Sequence, residues 1–159
     1  MSDQETILSL INKTSFFSIF SDAEKEYLST LNNQIISSKA SDVIVKQGNL
    51  DTELFILIKG QVKIFKNERP NIILAHLKPG NVFGEISYLK KTPRTANAVS
   101  TKDSMFLKIS GKTFDKMSAE IQNKFQQRFL DIFIERLDDL NKRYIRDAIS
   151  PVHTATERR

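Results

Sequence analysis

A chain of 159 residues, 40% apolar and 27% charged, is long enough for one domain with a real core, short for two, and globular rather than disordered in composition. The absence of Cys excludes disulfides, thiolate metal sites and cysteine nucleophiles, while eleven Phe and no Trp imply a core filled with Phe. The net charge of +5 would mark a nucleic-acid binder only if it were clustered, and Lys and Arg are mostly interleaved with acids, apart from Lys90-Lys91 with Arg94, Lys142-Arg143-Arg146 and Arg158-Arg159.

Residues 5–13 carry Ile7, Leu8 and Ile11 on one side of a short helix, and the apolar knot Phe16-Phe17-Ser18-Ile19-Phe20 follows. Ser21 with Glu24 three residues on is a capping box, which predicts a helix over 22–32 with Leu28 and Leu31 facing inward. From residue 34 the period changes to two. Strands are predicted at 34–39, 42–46, 54–59, 61–66, 71–77, 94–100 and 104–109, divided by corners at Gly48, Gly60, Asn67–Pro70 and Pro79-Gly80. Many short strands with regular turns predict a sandwich or barrel.

Beyond Gly111 the pattern is helical, with a short helix at 112–119 and a long one at 122–146. On a wheel of ~100° per residue the long helix spreads its apolar residues over an arc of roughly 200°, about twice the stripe of an ordinary surface helix. It therefore needs two fronts. Leu130, Phe133, Leu137, Leu140 and Tyr144 step by 3, 4, 3 and 4, a short heptad seam whose favoured partner is a second copy of the chain, with packing inside the chain as the alternative. The domain is expected to run over 1–147, with a helical opening segment at 5–33, strands at 34–110, helices at 111–147 and a flexible tail at 148–159.

Chemistry concentrates in Phe83-Gly84-Glu85-Ile86-Ser87-Tyr88-Leu89 and Pro93-Arg94-Thr95-Ala96-Asn97-Ala98. A carboxylate beside a glycine accepts only and suits a hydroxyl, and an arginine nine residues on offers a planar fork to an anion. The pair suits a ligand such as a sugar phosphate. The competing reading of Glu85 and Arg94 is a mutual or surface salt bridge with no ligand. His76 and His153 lack the spacing of a metal site, and no nucleophile elbow or P-loop is present, so no metal, cofactor or enzymatic role is expected. No apolar run approaches the ~20 residues of a membrane span. The first residues carry acids where a signal peptide carries bases, so a cytoplasmic protein is expected.

These two strings resemble the phosphate-binding cassette of cyclic-nucleotide-binding domains, found in cyclic-nucleotide-gated channels, cAMP-dependent kinase regulatory subunits and catabolite-activator-type regulators. The resemblance extends over residues 14–146 and includes Phe17-Ser18-Ile19-Phe20, Gln47-Gly48 and Leu54–Gly60. It implies a mainly β fold with flanking helices: an eight-stranded β-roll with N-terminal helices and a C-terminal helix pair ending in a long helix. It implies a stand-alone sensor of cAMP or cGMP in which Arg94 takes the cyclic phosphate and Glu85, with Gly84, the ribose 2′-hydroxyl. Amides of Ile86 and Ser87 in a short helix at 85–89 would help hold the anion, beside Thr95 and a small Ala96. Ile64 and Leu74 would line the base pocket, and Phe133, Ile134 or Leu137 would cap it. Thr95 resembles a guanine-binding threonine but is equally a plain strand residue, so the base stays open with a lean to cAMP. Ligand binding would close the C-terminal helices and signal to an effector protein. The alternatives are an interaction module with a silent pocket, or a fragment of a regulated channel or kinase. A transcription regulator would need a helix-turn-helix after the long helix, and only 13 residues follow Arg146, so no DNA binding is expected.

Overall fold

The computed structural model describes residues 3–31 and 34–149. The chain opens with α1 (Asp3–Lys13), a single 3₁₀ turn at Ser15–Phe17 and α2 (Asp22–Ser29). Eight strands follow: β1 (Ile35–Ser38), β2 (Val43–Val45), β3 (Leu54–Lys59), β4 (Val62–Phe65), β5 (Ala75–Leu77), β6 (Val82–Phe83), β7 (Asn97–Ser100) and β8 (Ser104–Ile109). A short α3 (Glu85–Lys90) interrupts them between β6 and β7, and α4 (Gly111–Asp115) and α5 (Ala119–Ile149) close the chain. The strands form two four-stranded sheets, β1-β8-β3-β6 and β2-β7-β4-β5, antiparallel throughout.

The apolar run Leu54-Phe55-Ile56-Leu57-Ile58 is buried at every position because its sheet is covered on both faces. Phe55 and Leu57 point into the roll with Phe83, Phe106 and Val62. Leu54, Ile56 and Ile58 point the other way, with Leu107 and Ile109, against the helices. That outer layer is a Phe hub: Phe125 of α5 has ring centroids 5.7 Å from Phe16, 5.1 Å from Phe20 and 5.9 Å from Phe129. Edge-on and tilted contacts of this kind are the favoured aromatic geometries.

Polar clamps flank the hub. The Ser21 hydroxyl accepts from Glu24 N and opens α2 as the capping box predicts. Lys124 Nζ lies 2.5 Å from Glu24 Oε1. Burial favours a neutral Glu24, but hydrogen bonds from Lys124 and Ser21 outweigh it and hold its pKa below the usual carboxylate value. Arg128 Nε donates to the Phe16 carbonyl at 3.0 Å.

Besides shifts of one to four residues at other element ends, four points differ from the sequence reading. The two-residue strand β6 was not expected, being too short to show a period, and it is held by the pairs Phe55↔Phe83 and Ile56↔Val82. The expected strand 71–77 is regular only from Ala75. The expected strand 94–100 starts at Asn97, because Arg94 bonds through its N–H to Asn49 O (2.8 Å) and through its carbonyl to Gly48 N (2.9 Å). Finally, α5 runs through Ile149, so residues 148 and 149 are helix rather than tail, and residues 150–159 lie outside the described part.

The inner stripe of α5 is Ile121, Phe125, Phe129 and Ile132, all buried. The expected second front is open except at Phe133: Leu130, Leu137, Leu140 and Tyr144 are exposed, with Ile134 beside them, whereas Phe133 packs against the helix-side core of its own chain.

Candidate functional site

A cavity of about 480 Å³ opens between the roll and α5, within the range of small-molecule sites. Its wall is apolar on the roll side, with Val45, Ile64, Leu74, Leu77, Val82 and Phe83. Its polar end is built from 84–87 and 94–97. The two strings that the sequence sets apart thus meet around one space.

β6 delivers the chain to Gly84, whose φ of 80° is left-handed. A Cβ there would stand 2.8 Å from Glu53 O and 2.9 Å from Arg94 Nη1, so both the backbone and the crowding call for glycine. Gly84→Ala should cost about 1–2 kcal/mol from the left-handed backbone alone and push the Arg94 side chain aside. Chemical denaturation checks the first effect, and ligand titration the second. The first turn of α3 follows directly. Its first ladder bond is Tyr88 N to Gly84 O, so the N–H groups of Glu85, Ile86 and Ser87 have no acceptor within the helix.

Arg94 is 3% exposed, which is unusual for arginine and is explained by its partners. Nε and Nη2 donate to Asp51 Oδ2 at 3.0 and 2.5 Å. Nη2 also donates to Glu53 O at 2.8 Å, and Nη1 to Gly84 O at 3.1 Å. The guanidinium also lies 5.8 Å from the Phe55 ring centroid, within cation–π range. Of the five N–H groups of a guanidinium, these bonds leave one, on Nη1, without an acceptor among the described residues.

Glu85 does not pair with Arg94. Its Oε1 lies 2.6 Å from Nη1 of Arg136, on α5, and Arg136 Nη2 donates to the Val82 carbonyl. The mutual salt bridge between Glu85 and Arg94 is therefore absent, and each group has its own counter-charge.

The structure gathers Gly84, Glu85, Ile86, Ser87, Arg94, Thr95, Ala96, Ile64 and Leu74 around the cavity. The three residues expected to cap it lie elsewhere. Phe133 packs on the helix-side core, and Ile134 and Leu137 are exposed. α5 contributes Arg136 to the cavity wall instead. The reason is angular: Arg136 falls about 20° from Phe125 on the helix wheel, in the middle of the buried stripe, whereas Ile134 and Leu137 fall at ~180° and ~120°. A cation in the centre of an apolar stripe was the signal that could have found it. Asp51 and Glu53, which hold Arg94, sit in a loop whose pattern singles out neither. Among the described residues no three potential ligands of His, Asp or Glu come together to hold a metal ion, and no helix is long and apolar enough to cross a membrane.

Known proteins resemble this chain in sequence and in fold. Residues 35–120 match the family described as cyclic nucleotide-binding domain. A cAMP-dependent protein kinase regulatory subunit of Blastocladiella emersonii is 22% identical over 144 residues, covering 84% of this chain and 36% of that protein. Cyclic nucleotide-gated channel beta-3 of Homo sapiens is 30% identical over 112 residues, covering 69% of this chain and 14% of that protein. The chain thus spans about a third or less of these relatives. A solved cyclic nucleotide-binding domain of Methylobacillus flagellatus superposes with a TM-score of 0.72 at 22% identity, covering 94% of this chain and 86% of the other, a likeness of fold. With the match extending over more than half of its 159 residues, the chain belongs to the cyclic nucleotide-binding domain family, a family of regulatory sensor domains.

Proposed function

We propose that the cavity binds cAMP or cGMP, with the cyclic phosphate against Arg94 and the amides of Ile86 and Ser87, and the ribose against Glu85 and Gly84. The observation that carries this reading is the buried Arg94. Asp51 and two carbonyls fix its fork in place, and one Nη1 N–H is left for an incoming oxygen. A desolvated, pre-oriented guanidinium is the side chain best suited to a phosphate. Glu85 keeps Oε2 for a hydroxyl, since only Oε1 is taken. Thr95 and Ala96 border the phosphate end, while Ile64 and Leu74 offer the base an apolar wall. Calorimetric titration of the folded chain with each nucleotide tests this. One saturable event per chain with at least one nucleotide is expected, and silence toward both would leave only an interaction module.

In this reading the protein is a cytoplasmic, non-catalytic sensor. Ligand reorganises α3, α5 closes further over the cavity, and the shift reaches a partner by changing the populations of two arrangements. The open front of α5 suits a second copy, because Leu130, Leu137, Leu140 and Tyr144, four of the five residues at heptad spacing, are exposed along it. Sedimentation equilibrium should show a dimer, and Leu137→Asp should raise its dissociation constant at least tenfold. A monomer at high concentration in the unsubstituted protein would contradict this arrangement.

A further inference from the structure

Three cations line the cavity: Arg94, Arg136 and Lys66. Two of them are committed to acids, Arg94 to Asp51 and Arg136 to Glu85. Among the described residues Lys66 forms no ion pair. The acid next along the chain, Glu68, accepts from Gln47 Nε2 at 2.9 Å. Its own amide and Gln47 hold the Glu68 carboxyl below the usual carboxylate range, and the charge of Lys66 adds less.

The backbone fixes where this free cation stands. Lys66 follows directly on β4, two residues after Ile64. Ile64 pairs with Ala75 on one side and Ala98 on the other, and all three line the cavity. Alternation keeps Lys66 on the same face, at the exposed rim. The turn beyond it is pinned. Arg69 N donates to Lys66 O at 3.2 Å, Asn67 N donates to Gln47 Oε1 at 2.8 Å, and Asn97 Nδ2 donates to Asn67 Oδ1 at 2.7 Å. The lysine stem therefore leaves a held backbone beside Ile64 and Leu74, the wall offered to the base.

An ammonium only donates. Among the described residues that line the cavity, Glu85 is the one carboxylate, and Arg136 already holds it. Adenine turns an amino group, a donor, to the edge where guanine carries the acceptor O6 beside N7. Lysine matches O6 and N7 and opposes the adenine amino hydrogens.

We propose that Lys66 is a specificity-determining residue that makes this a site for 6-oxopurine cyclic nucleotides, so that cGMP is selected over cAMP through O6 and N7. This rests on the ligand reading above. The 2-amino group, the other mark of guanine, plays no part in the selection.

Calorimetric titration with cGMP, cAMP and cIMP tests this, because cIMP keeps O6 and N7 and lacks the 2-amino group. The wild-type protein should bind cGMP and cIMP alike, each at least about fivefold tighter than cAMP. Lys66→Met should bring all three within about twofold, and Lys66→Arg should keep the preference. Lys66→Glu, which offers an acceptor to the adenine amino group, should turn the ratio toward cAMP. Lys66 is exposed, so each variant should melt within about 2 °C of the wild-type protein. Three results would overturn the proposal. One is a wild-type protein that binds cAMP as tightly as cGMP. Another is cIMP binding as weakly as cAMP, which would give the choice to the 2-amino group. The third is Lys66→Met weakening cGMP and cAMP by the same factor, the mark of a contact to the shared phosphate. Silence toward all three nucleotides would sink the ligand reading itself, and this inference with it.

Discussion

Arg94→Ala should lose cyclic-nucleotide affinity by about 2–4 kcal/mol, roughly 30- to 1,000-fold, the cost of deleting one partner of a desolvated charged contact. The loss has two sources. The phosphate loses its counter-charge, and the cassette loses the group that links Asp51, Glu53 O and Gly84 O. The stability cost should be smaller, because Asp51 is 39% exposed and can return to water. Arg94→Lys should recover little, since an ammonium restores the charge but cannot span Asp51 and two carbonyls at once. Calorimetry together with a thermal melt separates binding from folding. A well-folded Arg94→Ala protein with wild-type affinity would remove Arg94 from its role.

Phe125→Ala should be the most damaging substitution for the fold. Phe125 has no exposed surface, and its ring touches those of Phe16, Phe20, Phe114 and Phe129. Large-to-small changes at such sites cost about 3–5 kcal/mol, a large part of the ~5–15 kcal/mol that holds a domain together. At about 2–4 °C per kcal/mol for a domain of this size, the melting temperature should fall by roughly 6–20 °C. A shift under about 2 °C would show that the hub relaxes to fill the space. The cavity-lining residues, except Val82, lie outside this helix-side core, so the variant should keep more of its ligand affinity at low temperature than Arg94→Ala does.

The sequence signals differed in reach. The period-two runs and glycine corners placed seven of the eight strands, because alternation and left-handed turns leave local marks. Gly48, Gly60, Gly80 and Gly84 all adopt positive φ. Val82–Phe83 left no such mark: two residues carry no period, and only the pairing with β3 makes them a strand. The cassette was legible because its residues lie within 15 positions of one another. The partners of Arg94 and Glu85 were not legible, because Asp51 is 43 residues from Arg94, and Arg136 is 51 residues from Glu85. Contacts at that separation depend on how the sheets fold over each other, which no local pattern records. The base cap was assigned to apolar residues of α5 on the expectation that an apolar base is covered by apolar side chains. The helix instead lines the cavity with Arg136, a cation.

The exposed end of α5 has a geometric consequence. Residues 137–149 extend for about 20 Å past Arg136 at 1.5 Å per residue. A tilt of about 10° about Arg136 would therefore sweep the far end through roughly 3 Å. A small rotation at that point would thus become, at the tip of this lever, a displacement large enough to make or break a side-chain contact.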